Sequence, residues 1–245
     1  MKKIFTTLLL IVAFTSNAQF QENIDSGRPG NSFSVFTVGK NVFQIESGLD
    51  FYNEGNQFFS NSFFRFGITE SIELNSGLLY NFTSGSEGVS SYYAGAKFHF
   101  FEGDNMLPST AFQIGVGIPK DANDESFVNA LFIMNFPFSE RLSTTFNFGA
   151  NMDFKSSMVN NISQLFYEGV YALNFSYALT NKWTTFVETY GTIDKFSNPK
   201  IKMNLNAGFS YLLNNNFLLD TLVSHGINTD NKLMVSVGFS YRLPL

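Results

Sequence analysis

The sequence has no cysteine among its 245 residues, so neither a disulfide framework nor a thiolate metal site can form. Charge is also scarce. Asp, Glu, Lys and Arg make up 14% of the chain, where a soluble domain carries about a quarter. The formal net charge is −5, which argues against nucleic acid as a partner, because phosphate binding calls for a basic face. Beyond the first residues, no apolar run approaches the about 20 residues that a helix needs to cross a bilayer. What the chain has in abundance is aromatic side chains, 17% of it, with 31 Phe. Low charge, many aromatics and no long apolar run fit a chain that crosses a bilayer as strands, because only alternate residues then meet lipid.

The N-terminus reads as an export signal. Met1-Lys2-Lys3 is positive, Ile4 to Phe14 is apolar, and Ser16-Asn17-Ala18 sets small residues where a signal peptidase reads. The expected signal peptide is 1–18, cleaved after Ala18. With no cysteine after the apolar run, lipoprotein processing is excluded. The expected location is the outer membrane.

The hydropathy pattern has period 2. From Leu142 to Asp153 one parity reads Leu142, Thr144, Phe146, Phe148, Ala150 and Met152, and the other Ser143, Thr145, Asn147, Gly149, Asn151 and Asp153. A strand turns those sets to opposite faces, whereas a helix would scatter both. The stretches Ile201 to Tyr211 and Leu233 to Leu243 repeat the pattern. Extended along the chain, it gives about 12 strands: 41–53, 58–68, 72–82, 91–101, 109–119, 127–136, 142–153, 164–178, 183–192, 201–212, 217–227 and 232–243. Most reach the roughly nine to eleven residues of a tilted spanning strand. Tight connections such as Thr69 to Ser71, Pro137 to Arg141 and Leu179 to Lys182 alternate with longer ones rich in Gly, Ser, Asn and Asp. That asymmetry distinguishes periplasmic turns from external loops. Tyr80, Tyr92, Trp183, Tyr211 and Tyr241 fall near strand ends, where aromatic girdles sit. The expected fold is all-β, a transmembrane antiparallel outer-membrane β-barrel spanning 41–245. Ser32 to Val38 is a candidate for one extra edge segment.

If the apolar parity faces lipid, the other faces the lumen. It carries Glu46, Asp50, Glu73, Asp153, Glu168, Glu188 and Asp220, with Arg65, Lys97, His99, Lys202, Lys232 and Arg242. These charges either steer a solute between opposed acidic and basic walls or pair off as a ladder that fills a narrow barrel, since buried ions need partners. The preceding segment, 19–40, contains Gly27-Arg28-Pro29-Gly30, which forbids regular structure there. It is expected to fold into the lumen as a plug or to lie below it as a periplasmic strap. As a plug it would bring Arg28 to the acidic wall.

Several short runs resemble one family. They are Arg28-Pro29, Phe36-Thr37-Val38-Gly39-Lys40, Phe43-Gln44-Ile45-Glu46-Ser47-Gly48 and Phe66-Gly67-Ile68-Thr69. Gly95-Ala96-Lys97, Pro108, Phe186-Val187-Glu188, Gly191, Asp220 and Val237-Gly238-Phe239-Ser240-Tyr241-Arg242 follow. In order and spacing these resemble the MetA-pathway phenol-degradation family over nearly all of the mature chain. The chain departs from the family in having Gly27 where an acidic residue usually precedes Arg-Pro, and in ending Pro244-Leu245 rather than on an aromatic. The resemblance implies a transporter-type barrel for small aromatic or other apolar compounds.

Catalysis finds no support. There are two histidines, His99 and His225. His225 has lipid-facing parity, but residue 227 is Ile and Ser224 points the other way, so no hydroxyl lies within reach of a base. No metalloprotease, P-loop or nucleophile-elbow motif occurs. The acidic run Asp121, Asp124 and Glu125 reads as a solvated external loop rather than a cation site. No cofactor is implied. The expected partners are the lipid bilayer, a small-molecule solute and the barrel assembly machinery during biogenesis, with the chain monomeric. Two functions remain open: passive passage of a small solute, apolar or aromatic, or a non-conducting structural or assembly barrel with a filled lumen.

Overall fold

The computed structural model describes residues 21–104, 107–120, 126–156, 163–194, 200–229 and 233–244, without the side chains of 153–167 and 244. The expected signal peptide, the acidic run at 121–125 and Lys232 lie outside the described residues. Twelve strands run β1 Val42–Tyr52, β2 Gln57–Gly67, β3 Ile72–Asn81, β4 Gly88–Phe101, β5 Ser109–Pro119 and β6 Phe127–Pro137. They continue as β7 Leu142–Ser156, β8 Ser163–Ala178, β9 Trp183–Asp194, β10 Lys200–Asn214, β11 Phe217–Gly226 and β12 Leu233–Pro244. Each pairs antiparallel with its sequence neighbours, and β1 closes on β12. The sheet therefore has no free edge, the condition for crossing lipid as strands. The candidate extra pairing of Ser32 to Val38 does not form; those residues contain no strand, because a closed ladder offers no edge to join.

The period-2 pattern maps onto the wall. In β12, Val235, Val237, Phe239 and Tyr241 point out and are exposed, while Ser236, Ser240 and Arg242 point in and are buried. The outward face is a continuous apolar belt that includes Phe51, Ile118, Phe175, Val187 and Phe209, far larger than the apolar patches of a water-soluble monomer. Trp183 and Tyr211, register partners at one rim, bring their rings to 4.7 Å. Four of the five connections at that rim are two to four residues long, for instance Asn215–Asn216 between β10 and β11, and 102–108 between β4 and β5 is longer; this is called the turn end below, and the opposite rim the loop end.

The inward face is not uniformly polar. Ala111 of β5 and Ile133 of β6 form an apolar cluster with Val35, and Phe186, Leu222 and Met234 form a second from β9, β11 and β12. In β6 both faces are apolar: Phe132 and Met134 point out, Leu131 and Ile133 point in.

Candidate functional site

Residues 21–41, which carry no strand or helix, lie within the barrel and follow its wall. At the turn end Arg242 of β12 donates to the carbonyls of Gln21 and Glu22, each at 2.8 Å, and Ile24 N donates to Asn215 O at 2.8 Å. The chain then contacts β11 and β12 at Arg28, β9 at Asn31 and Ser32, and β7 at Phe33. It goes on to β4 at Val35 and Phe36 and β3 at Val38 before entering β1. The inserted segment thus makes a circuit of the lumen in reverse strand order.

Its root is held by the charged wall of β1–β4. Arg65 is buried and its guanidinium is fully used. It bonds Glu73 through Nε at 3.0 Å and Nη2 at 2.9 Å, Glu46 at 2.9 Å, and the carbonyls of Asp25 at 2.9 Å and Phe36 at 2.8 Å. Lys97 adds bonds to Phe36 O at 2.5 Å and Ser34 O at 3.2 Å, with Glu73 at 3.6 Å. Glu73 in turn accepts from Val38 N at 3.0 Å, and Glu46 from Gly27 N at 3.2 Å. Asp25, inside this cluster, bonds Ser34; burial pushes its carboxyl above the ordinary value, against the downward pull of Arg65. Such charge-assisted bonds hold irregular backbone that has no ladder of its own. His99 Nδ1 lies 3.2 Å from Val35 O, and Asn147 brackets Phe33, accepting from its N at 2.6 Å and donating to its O at 3.1 Å.

The tip, residues 27–32, reaches the far wall. Arg28 ion-pairs with Asp220 of β11 at 3.0 Å and donates to Ser236 Oγ at 2.9 Å, and Ser236 donates to Asp50 at 2.6 Å. Two glycines make room for it. Gly48 and Gly238 are register partners across the β1–β12 seam, and a Cβ on either would collide with the guanidinium. Glu188 accepts Asn31 N at 2.8 Å and Ser32 N at 2.9 Å, and on its own wall Asn206 Nδ2 at 2.8 Å and Asn174 Nδ2 at 3.4 Å. Gly30 packs against it; a Cβ there would stand 2.7 Å from Glu188 Oε2.

The residues singled out in the sequence therefore fall into groups. Glu46, Asp50, Arg65, Glu73, Lys97, His99, Glu188, Asp220 and Arg242 are buried inward, and all but Asp50 contact the inserted segment directly. Lys202 and Glu168 sit toward the loop end. Lys202 pairs with Asp194 at 3.2 Å with half its side chain exposed, and Glu168 accepts from Asn151 at 3.3 Å. The Asp153 side chain lies outside the described residues. His225 is exposed on the outer face, as its parity indicated. Sequence reasoning missed Asn147 and Gln44, neutral side chains with no charge to mark them. Gln44 donates to Asp25 O and to Glu46, both at 2.8 Å.

Space remains on both sides of the tip. Toward the loop end are cavities of 260 Å³ and 270 Å³ that share Asn31 and Tyr190. Toward the turn end are cavities of 310 Å³ and 470 Å³ that share Ile24, Thr184, Ser210 and Leu218. The 260 Å³ and 310 Å³ cavities are both lined by Gly27, Pro29, Gly30, Ser32, Phe33 and Ser34, so the tip is the partition between them.

The family model described as "Putative MetA-pathway of phenol degradation" matches residues 26–243, from just before Arg28 to the end of the last strand, β12. The chain belongs to this family. No curated protein sequence matches it. Among solved structures it is similar to the NanC porin (TM-score 0.63, 7% identity, 81% of this chain and 100% of that one). It is similar to an outer membrane channel from Pseudomonas putida F1 (TM-score 0.58, 8% identity, 90% of this chain and 100% of that one). It is also similar to the KdgM porin (TM-score 0.56, 11% identity, 81% of this chain and 98% of that one). At these identities the likeness is one of fold: the MetA-pathway family member shares the closed barrel of porin-type channels.

Proposed function

We propose that this MetA-pathway family member is an outer-membrane channel for passive passage of a small solute, closed by its own N-terminal segment in the conformation described above. The observation that carries the proposal is the partition. Paired cavities approach from the two rims and are separated by a glycine- and proline-containing tip. Among the described residues, that tip bonds the far wall through Arg28, Asn31 and Ser32. Moving one short loop would join them, whereas the root is fixed by a dense ionic cluster. On this reading the chain is exported with cleavage after Ala18, 19–40 is a plug, the turn end faces the periplasm, and the barrel works as a monomer. The 260 Å³ cavity is walled in part by Tyr52, Phe63, Tyr190 and Met234, which supports a solute with an apolar or aromatic face.

A second reading, a structural barrel with a filled lumen, is favoured by the thorough pairing of the charges on β1–β4 with the segment. Single-channel conductance in planar bilayers separates the two. The channel reading expects rare, small openings from the unaltered protein and frequent, larger ones from Arg28→Ala and Glu188→Gln, which release the tip. A folded barrel that never conducts, in either variant, leaves the structural reading standing.

A further inference from the structure

The charges of the lumen are unevenly distributed. Glu46, Arg65, Glu73 and Lys97 crowd the wall of β1–β4, each at most 3% exposed and bonded to one another or to the inserted segment. The wall of β6–β10 carries less charge, with Glu188 its one buried carboxylate among the described residues. The 310 Å³ cavity meets it at Asn135, Thr145, Asn174, Ser176, Thr184 and Ser210, and among the described residues the one charged group on that cavity's lining is Asp25 of the segment itself. On the loop side the 270 Å³ cavity is mixed, meeting Asn129, Asn147, Thr192, Asn204 and Lys202 together with Leu131, Val170 and Tyr190. Charge returns at the turn-end mouth with Glu140, Arg141 and Lys182.

Whereas the 260 Å³ cavity on the loop side faces Glu46, Asp50, Arg65 and Lys97, the space on the turn side of the tip follows hydroxyls and amides, with Phe186 and Leu218 among them. An ion moving along it would shed hydration without a counter-charge to replace it. The carboxylates within reach are already engaged: Glu188 by four N–H groups, Asp220 by Arg28 and Asp50 by Ser236. A neutral hydroxyl exchanges water for the wall at little net cost, since Ser, Thr and Asn each donate and accept. We infer that this wall selects a small, uncharged, hydroxyl-bearing solute, and that Thr145, Asn174, Ser176, Thr184 and Ser210 are the specificity-determining residues. The inference rests on the channel reading above and adds to it. The rings of Tyr52, Phe63 and Tyr190 in the loop-side cavity would meet the solute's less polar face.

The test is swelling of proteoliposomes in three sugars of one size: a neutral hexose, its uronic acid and its amino derivative. Each is run with the unaltered protein and with Arg28→Ala. The neutral sugar should enter about tenfold faster than the uronate, and faster than the amino sugar. The pair Thr145→Asp and Thr184→Asp, which sets carboxylates on the cavity wall, should bring the amino sugar ahead. The inference is overturned if the uronate keeps pace with the hexose, or if the amino sugar already leads in the unaltered protein, since the buried acids would then govern entry. Failure of the channel reading looks different: no sugar enters with either protein.

Discussion

At the residue scale, Arg28 is the side chain on which the proposed closed state turns. Its guanidinium occupies a gap between Gly48 and Gly238 that exists because neither has a Cβ, and it neutralises Asp220, whose side chain is fully enclosed. Removing one member of such a pair leaves a buried charge uncompensated, at about 3–5 kcal/mol. Arg28→Ala should therefore lower the temperature at which the barrel loses its folded mobility in gels, and Arg28→Ala with Asp220→Asn should recover much of the loss. Gly238→Ala should mimic Arg28→Ala by evicting the guanidinium, and adding it to Arg28→Ala should cost little more. If the two losses add, the crowding seen at Gly238 is not what matters there. Asp25 supplies a pH dependence whose sign follows from its burial. Its folded value is raised from the ordinary 3.8, so its contribution to stability is present below that value and lost as pH rises through the shifted one. Asp25→Asn should remove that decline from the unfolding curve measured against pH. Much of this was legible in the sequence by parity, including the inward set around Arg65 and Glu188. The partner of Arg28 was not, because Asp220 lies 192 residues away and no local period links them.

At the scale of the element, alternation identifies each strand because lipid and lumen impose opposite chemistry on its two faces. The agreement is closest where that contrast is sharp, as in β5, where both ends coincide with the expected 109–119, and in β7, where the first does. It loosens where pairing outruns the pattern. β4 begins at Gly88 rather than 91, and β10 runs on to Asn214 through a register shift at Leu212. The apolar inward face of β6 could not be anticipated from a polar lumen, since Ile133 is covered by Val35 of a segment with no periodicity of its own. The outward face makes a direct prediction. Val187, in the middle of β9 and 55% exposed to what would be lipid, should cost about 2–4 kcal/mol when changed to Arg. The same change at Lys202, already cationic at the lumen rim, should cost far less. Equal losses, measured by urea titration in lipid vesicles, would mean that β9 does not face the bilayer there.

At the scale of the whole molecule, the inserted segment and the barrel bear differently on stability and on closure. Closure is carried by twelve antiparallel ladders with every register defined, and the Arg65 pairs to Glu46 and Glu73 run wall to wall without the segment. Lumen occupancy is carried by the segment, through its contacts at Glu188, Asp220 and Asn147. Deleting 21–38 should therefore leave a closed barrel, with the β-sheet circular dichroism and heat-modifiable mobility of the parent. Its unfolding temperature should fall, because Asp220 would lose Arg28, Glu188 would lose two of its four donors and Val35 would no longer cover Ile133. Its conductance should rise well above that of Arg28→Ala, which frees only the tip. A deletion variant that fails to refold would show instead that the segment acts as a template around which the wall assembles. That result would tie lumen filling to barrel closure, and the plug could not then be a part that opens independently of the wall.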